Sequence, residues 1–260
     1  MKTKFIALIS DFGTDDPFVG TMKGVILTKA PGLTIIDITH QIPPQDIQAA
    51  AFYLMAAVPF MPKGTLFITV VDPTVGMGRG ILWARTKNHQ FITPDNGILS
   101  WVGEREKIEE VRFISNSALF LARISSTFHG RDIMAPVGAA IAKGLPEKNI
   151  GPVLRDYRKF PYPRPEKTGN RVMGQVIVID HFGNAITNIT QQYLTARSIF
   201  TVADKMVKGL RLTYASVIEG EPLALIGSFG FLEFSIRNGN FARTFGVKAG
   251  SAVEAIMSLE

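Results

Sequence analysis

Residues 66–71 are apolar at every position but Thr69, and the run stops at Asp72-Pro73. A run without polar alternation has no solvent face to offer, so it fits a strand buried on both sides, as in a parallel sheet covered by helices. That constraint makes the first half of the chain α/β. Asp72 then stands at a strand's carboxyl end, where open α/β sheets form their ligand crevices. Pro73, Gly76 and Gly78 shape a loop whose backbone can approach a ligand closely, and Arg79 follows it. Asp before Pro is also ordinary turn chemistry, so position alone does not make Asp72 functional.

The flanking pattern agrees with a doubly wound sheet. A first buried strand covers 5–10, and the turn Asp11-Phe12-Gly13-Thr14-Asp15-Asp16 places further carboxylates at a strand end. A helix from Pro17 carries Phe18, Met22, Val25 and Ile26 on its core face, a strand follows at 33–38, and a second helix spans about 45–58 until Pro59 ends it. Strand-helix alternation of this kind implies right-handed crossovers. A hairpin is expected over 81–86 and 90–93, then the turn Pro94-Asp95-Asn96-Gly97, a strand at 111–114 and an Ala-rich scaffold helix over 132–145.

Pro146, Pro152, Pro161, Pro163 and Pro165 crowd the next stretch, which suits an extended connection. Beyond it come short β runs at 171–180, 185–189, 199–202, 210–213, 222–226, 231–236 and 252–257, separated by turn residues. The expected organisation is an α/β N-terminal domain over 1–150, with a mostly parallel central sheet flanked by helices. A proline-rich linker over 151–170 leads to a smaller antiparallel, β-barrel-like domain over 171–260.

Composition narrows the function classes. With 260 residues and 46% hydrophobic content the chain can bury a large core, and with no cysteine it has no disulfide and no thiolate nucleophile. The net charge of +6 is spread without a basic run, so no nucleic-acid partner is expected. No apolar run approaches a membrane span, and the run at 5–10 is too short for a signal sequence, so a soluble cytoplasmic protein is expected. No histidine pair has helical zinc-site spacing, and no metal is expected. His40, His89 and His181 read as structural or solvated. Gly76-Met77-Gly78-Arg79-Gly80 misses a dinucleotide fingerprint because Ile81 stands where the third glycine belongs. Walker and Gly-x-Ser-x-Gly sequences are both missing.

Further polar sets interrupt the apolar pattern: Ser10-Asp11-Phe12-Gly13, Asp37-Ile38-Thr39-His40, Val71-Asp72-Pro73, Pro94-Asp95-Asn96-Gly97, Thr127-Phe128-His129-Gly130-Arg131-Asp132, Asp180-His181-Phe182-Gly183-Asn184 and Gly227-Ser228-Phe229-Gly230. Together they resemble the S-adenosyl-L-methionine hydrolase (adenosine-forming) family, also called SAM hydroxide adenosyltransferase, relatives of the adenosylmethionine-dependent fluorinases and chlorinases. The resemblance runs from residue 5 to about 257 and is most specific over the first 145. It implies a homotrimer with sites between neighbouring subunits, adenosylmethionine as substrate and no cofactor. It also implies a water-activating set of Asp72, Arg79 and His129. Asp11 would bind the ribose hydroxyls, Asp180 and Ser228 the methionine amino and carboxylate ends, and Phe182 with Asn184 the adenine. The halogenase branch has Tyr in place of Asp72 and Tyr-Ser in place of His129-Gly130, so the resemblance favours the hydrolase branch. Thr74, Met77 and Phe229 depart from the hydrolase pattern.

The chemistry is consistent with these residue types. Methionine leaves a sulfonium as a neutral thioether, so the leaving group needs no general acid. What remains is to activate a water and hold it in line with C5′ and the departing sulfur. Asp72 or His129 can orient or deprotonate that water, and Arg79 can fix the carboxylate. A halogenase, or a non-catalytic adenosylmethionine or adenosine binder, is the alternative reading.

Overall fold

The computed structural model describes residues 3–257, which divide into two compact units between Tyr162 and Pro163. In the first unit, β1 (Phe5–Ser10), β2 (Thr34–Thr39), β3 (Leu66–Val70), β4 (Ile81–Thr86), β5 (Gln90–Pro94) and β6 (Ile108–Phe113) form one sheet in the order β2-β1-β3-β5-β4-β6. The pairings from β2 through β5 are parallel, whereas β4 pairs antiparallel with both β5 and β6. The sheet is therefore mixed where a mostly parallel one was expected. The cause is the hairpin itself: Thr86 to Gln90 is too short for a crossover, so β4 must return antiparallel.

The chain leaves β1 for β2 on one side and then crosses back to β3 on the other, via α1 (Phe18–Lys29) and α2 (Ile47–Ala57). Right-handed crossovers in opposite directions place the two helices on opposite faces of the sheet. One face packs Ile6, Leu8, Ile68 and Val70 against Met22 and Ile26 of α1 and Val137 and Ile141 of α3 (Ala135–Ala142). On the strand positions in between, Phe67 and Phe91 stack with their centroids 5.3 Å apart. All of β3 is buried, as its unbroken apolar run requires. Asp46 caps α2 by accepting the Ala49 N–H at 2.9 Å, and Pro59 lies in the 3₁₀ turn that finishes it.

Three local expectations differ from the structure. Phe18 does not join the core face of α1; it is 41% exposed, and its neighbours are Phe12 and Phe128. The helix expected from Asp132 starts regular winding only at Ala135, after a π-helical turn over Gly130–Met134. The proline-rich stretch is extended, but its first part is pinned along the first unit. Leu154 N–H donates to Val111, Arg158 N–H donates to Asp95, and Phe160 and Tyr162 flank Trp101 edge-on.

The second unit is a sheet of short strands: β7 (Glu166–Thr168), β8 (Arg171–Ile179), β9 (Ala185–Thr190), β10 (Ile199–Val202), β11 (Lys205–Lys208), β12 (Leu210–Arg211), β13 (Pro222–Ile226), β14 (Phe231–Ile236) and β15 (Ala252–Ile256). The order is β11-β10-β15-β8-β9-β14-β13-β12, with β7 added to β8. β11 also lies beside β13, so the sheet nearly closes on itself in a barrel-like form around Val176, Phe200, Leu232 and Phe234. Every pairing is antiparallel except the short β12–β13 contact. β11 was not among the expected β runs; Ala203 and Asp204, both at positive φ, join it to β10 in two residues. The short helix α4 (Phe241–Phe245), capped by Asn240 and ended at Gly246, was also not foreseen. Among the described residues no helix is long and apolar enough to cross a membrane.

Candidate active site

Asp11 follows β1 and Asp72 lies just beyond β3, and these are the adjacent parallel strands between which the chain reverses its direction of winding. The carboxyl ends at such a switch point diverge and leave a crevice. A cavity of about 420 Å³ opens there, lined by Asp11, Asp72 and His129 among others, within the usual size range of small-molecule sites. Phe12, Phe18 and Phe128 form one wall, with ring centroids 5.3 to 5.6 Å apart in tilted and edge-on pairs. The rings give the cavity one apolar side.

Asp72 is mostly buried and its Oδ1 is the focus of its neighbours. Thr74 donates to it from its backbone N–H at 3.2 Å and from its hydroxyl at 3.3 Å, and Arg79 Nε lies 3.7 Å away. The side chains of Asp72 and Arg79 are 11% and 14% exposed, so this ion pair is largely desolvated and structurally fixed. Arg79 Nη1 is buried and has no hydrogen-bond partner among the described residues, which leaves a donor for a ligand or water at the pair. The departure at position 74 thus has a local consequence: the threonine supplies a hydroxyl to the carboxylate.

His129 enters from the opposite loop. Gly76 sits at φ +78°, and a Cβ there would lie 2.1 Å from the Ser126 carbonyl oxygen, so the loop after Asp72 and the loop before His129 press directly on each other. Asp132 ties that second loop down, accepting the Ser125 N–H at 2.7 Å and two bonds from Arg131. At Gly130 a Cβ would meet Val70 at 3.1 Å and Met22 Sδ at 3.3 Å, so the residue after His129 has little space for a side chain.

Asp11 is held by a bond from the far side of the cavity: Gln45, in a left-handed conformation at φ +67°, donates its N–H to Asp11 Oδ2 at 2.9 Å. Gln45 and the aromatic wall were not among the residues expected at the site. Phe18 had matched a core stripe, and nothing in Pro43-Pro44-Gln45 signals that its backbone amide would face Asp11.

The second unit carries the other expected residues, on two turns. Asp180 Oδ1 accepts the N–H groups of Phe182 and Asn184 at 2.9 and 2.8 Å, and its Oδ2 accepts Asn184 Nδ2 at 2.9 Å. The carboxylate therefore braces its own turn, with Asn184 buried beneath it and Phe182 71% exposed. Ser228 lies exposed in the turn between β13 and β14. Because Ala185 pairs with Phe234 and Thr190 with Phe231, the two turns stand at opposite ends of the β9–β14 pair. Beside Gly227, in the same turn as Ser228, buried Glu233 accepts hydrogen bonds from Tyr214 and Ser235 at 2.7 and 2.9 Å. Burial and the Glu233 carboxylate push the Tyr214 phenol well above its usual range. Among the described residues no group of three or more His, Asp or Glu side chains is placed to hold a metal.

These units correspond to two family models. That of the SAM hydroxide adenosyltransferase N-terminal domain matches residues 6–151, and that of the C-terminal domain matches 174–254. The chain is 34% identical over 258 residues to the (R)-S-adenosyl-L-methionine hydrolase of Thermus thermophilus, covering 96% of this chain and 99% of that one. It is 30% identical over 289 residues to a fluorinase of Actinoplanes sp., covering 95% and 96%. The crystal structure of an uncharacterized conserved protein from Thermotoga maritima superposes with a TM-score of 0.91 at 34% identity, covering 96% of this chain and 99% of that one. The chain belongs to the SAM hydroxide adenosyltransferase family.

Proposed function

We propose that the protein hydrolyses S-adenosyl-L-methionine to adenosine and L-methionine by attack of an activated water at C5′. The observation that carries this reading is the desolvated Asp72–Arg79 pair at 3.7 Å, facing a cavity that His129 also lines. Asp72 or His129 takes the water's proton as the C5′–oxygen bond forms and the C5′–sulfur bond breaks. The bonding pair leaves with sulfur, and methionine departs neutral. Arg79 keeps the carboxylate oriented, and its unpaired Nη1 can hold the incoming oxygen. Attack of an anion on a cation cancels charge, so apolar surroundings such as the aromatic wall favour the reaction.

Asp11, a charged acceptor at the cavity edge, is the ribose contact, since each carboxylate can accept from both vicinal hydroxyls. Phe182 and Asn184 are assigned to adenine, and Asp180 and Ser228 to the methionine end. We further propose a homotrimer whose sites are completed by a neighbouring subunit, a cytoplasmic location suited to a chain without cysteine, and turnover without metal or cofactor.

A fluorinase is the second reading, because fluorinases are among the relatives. Against it stand the carboxylate at Asp72 and the crowded Gly130, which leaves no side-chain hydroxyl beside His129. Hydrolysis in ¹⁸O-water with a chelator present decides between them. The expected product is adenosine carrying label at its 5′-hydroxyl. Unlabelled adenosine, a 5′-halo product in halide buffer, or loss of turnover restored by zinc or magnesium would sink the proposal.

A further inference from the structure

The turn that presents Asp11 rests on a hydrogen-bond chain, buried at Ser10 and His40 and reaching the surface at Asp37 and Lys23, with no part in the water-activating set. Ser10 Oγ lies 2.7 Å from His40 Nδ1, His40 Nε2 lies 3.2 Å from Asp37 Oδ1, and Asp37 Oδ2 receives Lys23 Nζ at 2.5 Å. Serine, histidine and carboxylate stand here in the order of a hydrolytic triad. Ser10 is only 2% exposed, however, and His40 6%. No substrate reaches Oγ, so the array is not a second nucleophilic centre.

With the imidazole neutral, one tautomer satisfies its polar atoms. Burial raises the Asp37 carboxyl, but the bonds from Lys23 and His40 outweigh it and hold the group below its usual range. Asp37 is thus an acceptor only, and Nε2 of His40 donates to it. Nδ1 then carries a lone pair and accepts the Ser10 hydroxyl. That leaves the lone pairs of Ser10 Oγ for the Phe12 N–H, 3.4 Å away. The main chain of the same histidine holds the turn as well, its carbonyl accepting the Gly13 N–H at 2.8 Å, while Ile42 N–H donates to the Ser10 carbonyl at 3.4 Å. The loop beyond Ile42 delivers Gln45, whose N–H fixes Asp11 Oδ2.

We propose that His40 is a positioning residue for substrate binding: Nδ1 fixes the Asp11 turn through Ser10, while Nε2 anchors the imidazole on the Asp37–Lys23 pair at the end of β2. The inference rests on Asp11 being the ribose contact, and it assigns the two ring nitrogens separate tasks.

Steady-state kinetics on the full-length protein with adenosylmethionine tests it. His40→Ala should raise KM roughly five- to tenfold, the effect of loosening about one hydrogen bond, with kcat within about twofold of wild type. His40→Asn, whose amide takes the place of Nδ1, should restore most of the loss. His40→Gln reaches toward Asp37 but not Ser10, and should not. Ser10→Ala, which removes one atom, should reproduce the KM defect and serves if His40→Ala does not fold. A general packing role would lower the melting temperature of all these variants without separating Asn from Gln. In the double variant with Asp11→Asn the two KM effects should not multiply. If they multiply, or if both His40→Ala and Ser10→Ala bind substrate normally while Asp11→Asn does not, the inference is overturned and the ribose assignment stands. If Asp11→Asn itself leaves KM unchanged, the ribose assignment falls and takes the inference with it.

Discussion

At Asp72 and Asp132 the same side chain serves two different ends. Asp72 faces the cavity with only one oxygen committed to Thr74 and Arg79, so it retains capacity to act on a water. Asp72→Asn and His129→Ala should each lower kcat by on the order of 10²–10⁴ while calorimetry still detects substrate binding. Their double variant should be little worse than the more damaged single one; a loss confined to KM would refute the assignment. Asp132, by contrast, is fully buried and wholly committed to Ser125 and Arg131. Burial raises its carboxyl, but the Arg131 and Ser125 bonds outweigh that and hold it below its usual range. A carboxyl depressed in the folded state stabilises above its unfolded value of about 3.9, and that stability is lost as pH falls through the folded value. Asp132→Asn should therefore cost about 1–3 kcal/mol in urea unfolding at pH 7. The gap from wild type should narrow below about pH 4, and a gap independent of pH would contradict this account.

Two irregular segments make the site out of otherwise regular elements. The loop from Asp72 to Gly80 turns back over the sheet with Gly76 and Gly78 both at positive φ, and the π-helical turn over Gly130–Met134 offsets His129 from the regular winding of α3. π turns insert one residue per turn and occur often at functional sites, where they redirect a side chain. Since the two loops meet at Gly76 and Ser126, a methyl group at 76 must separate them or twist the backbone out of the left-handed region. Gly76→Ala should cost about 1–3 kcal/mol of stability and lower kcat more than KM, because Asp72 and His129 move apart while Asp11 stays. Retained kcat with normal stability would show that the two loops do not set the catalytic geometry.

For the whole molecule, the two units differ in what they contribute. The first holds the cavity and the candidate water-activating residues; the second offers two turns, one of them bearing the exposed Phe182. Covering Phe182, which the single chain leaves 71% exposed, would remove apolar surface from water. On the proposal of a homotrimer, a ligand or a neighbouring subunit does so. Multi-angle light scattering should give three times the chain mass, and dilution below the association range should abolish activity. A fully active monomer would overturn the assembly.

Legibility in the sequence followed how local the cause was. The buried run before Asp72, the helix-strand alternation and the 81–86/90–93 hairpin are set by nearest neighbours along the chain, and the structure keeps them. Strands 199–202, 222–226 and 231–236 fall where their apolar runs and turn residues put them. β4 turned the sheet mixed through a connection too short to cross over, a constraint present in the sequence but outweighed by the parallel pattern before it. Phe18 and Gln45 were not legible as site residues, because helix periodicity cannot tell a core stripe from a cavity wall and a backbone amide leaves no side-chain signature. The π turn and the Ser10–His40–Asp37 chain depend on residues that are brought together only when β1 and β2 pair in register and α3 packs against β3. The sequence by itself determined the element types and the residue types able to do the chemistry. Tertiary structure alone decided which of them share a cavity, since that depends on long-range packing and desolvation, which local pattern does not encode.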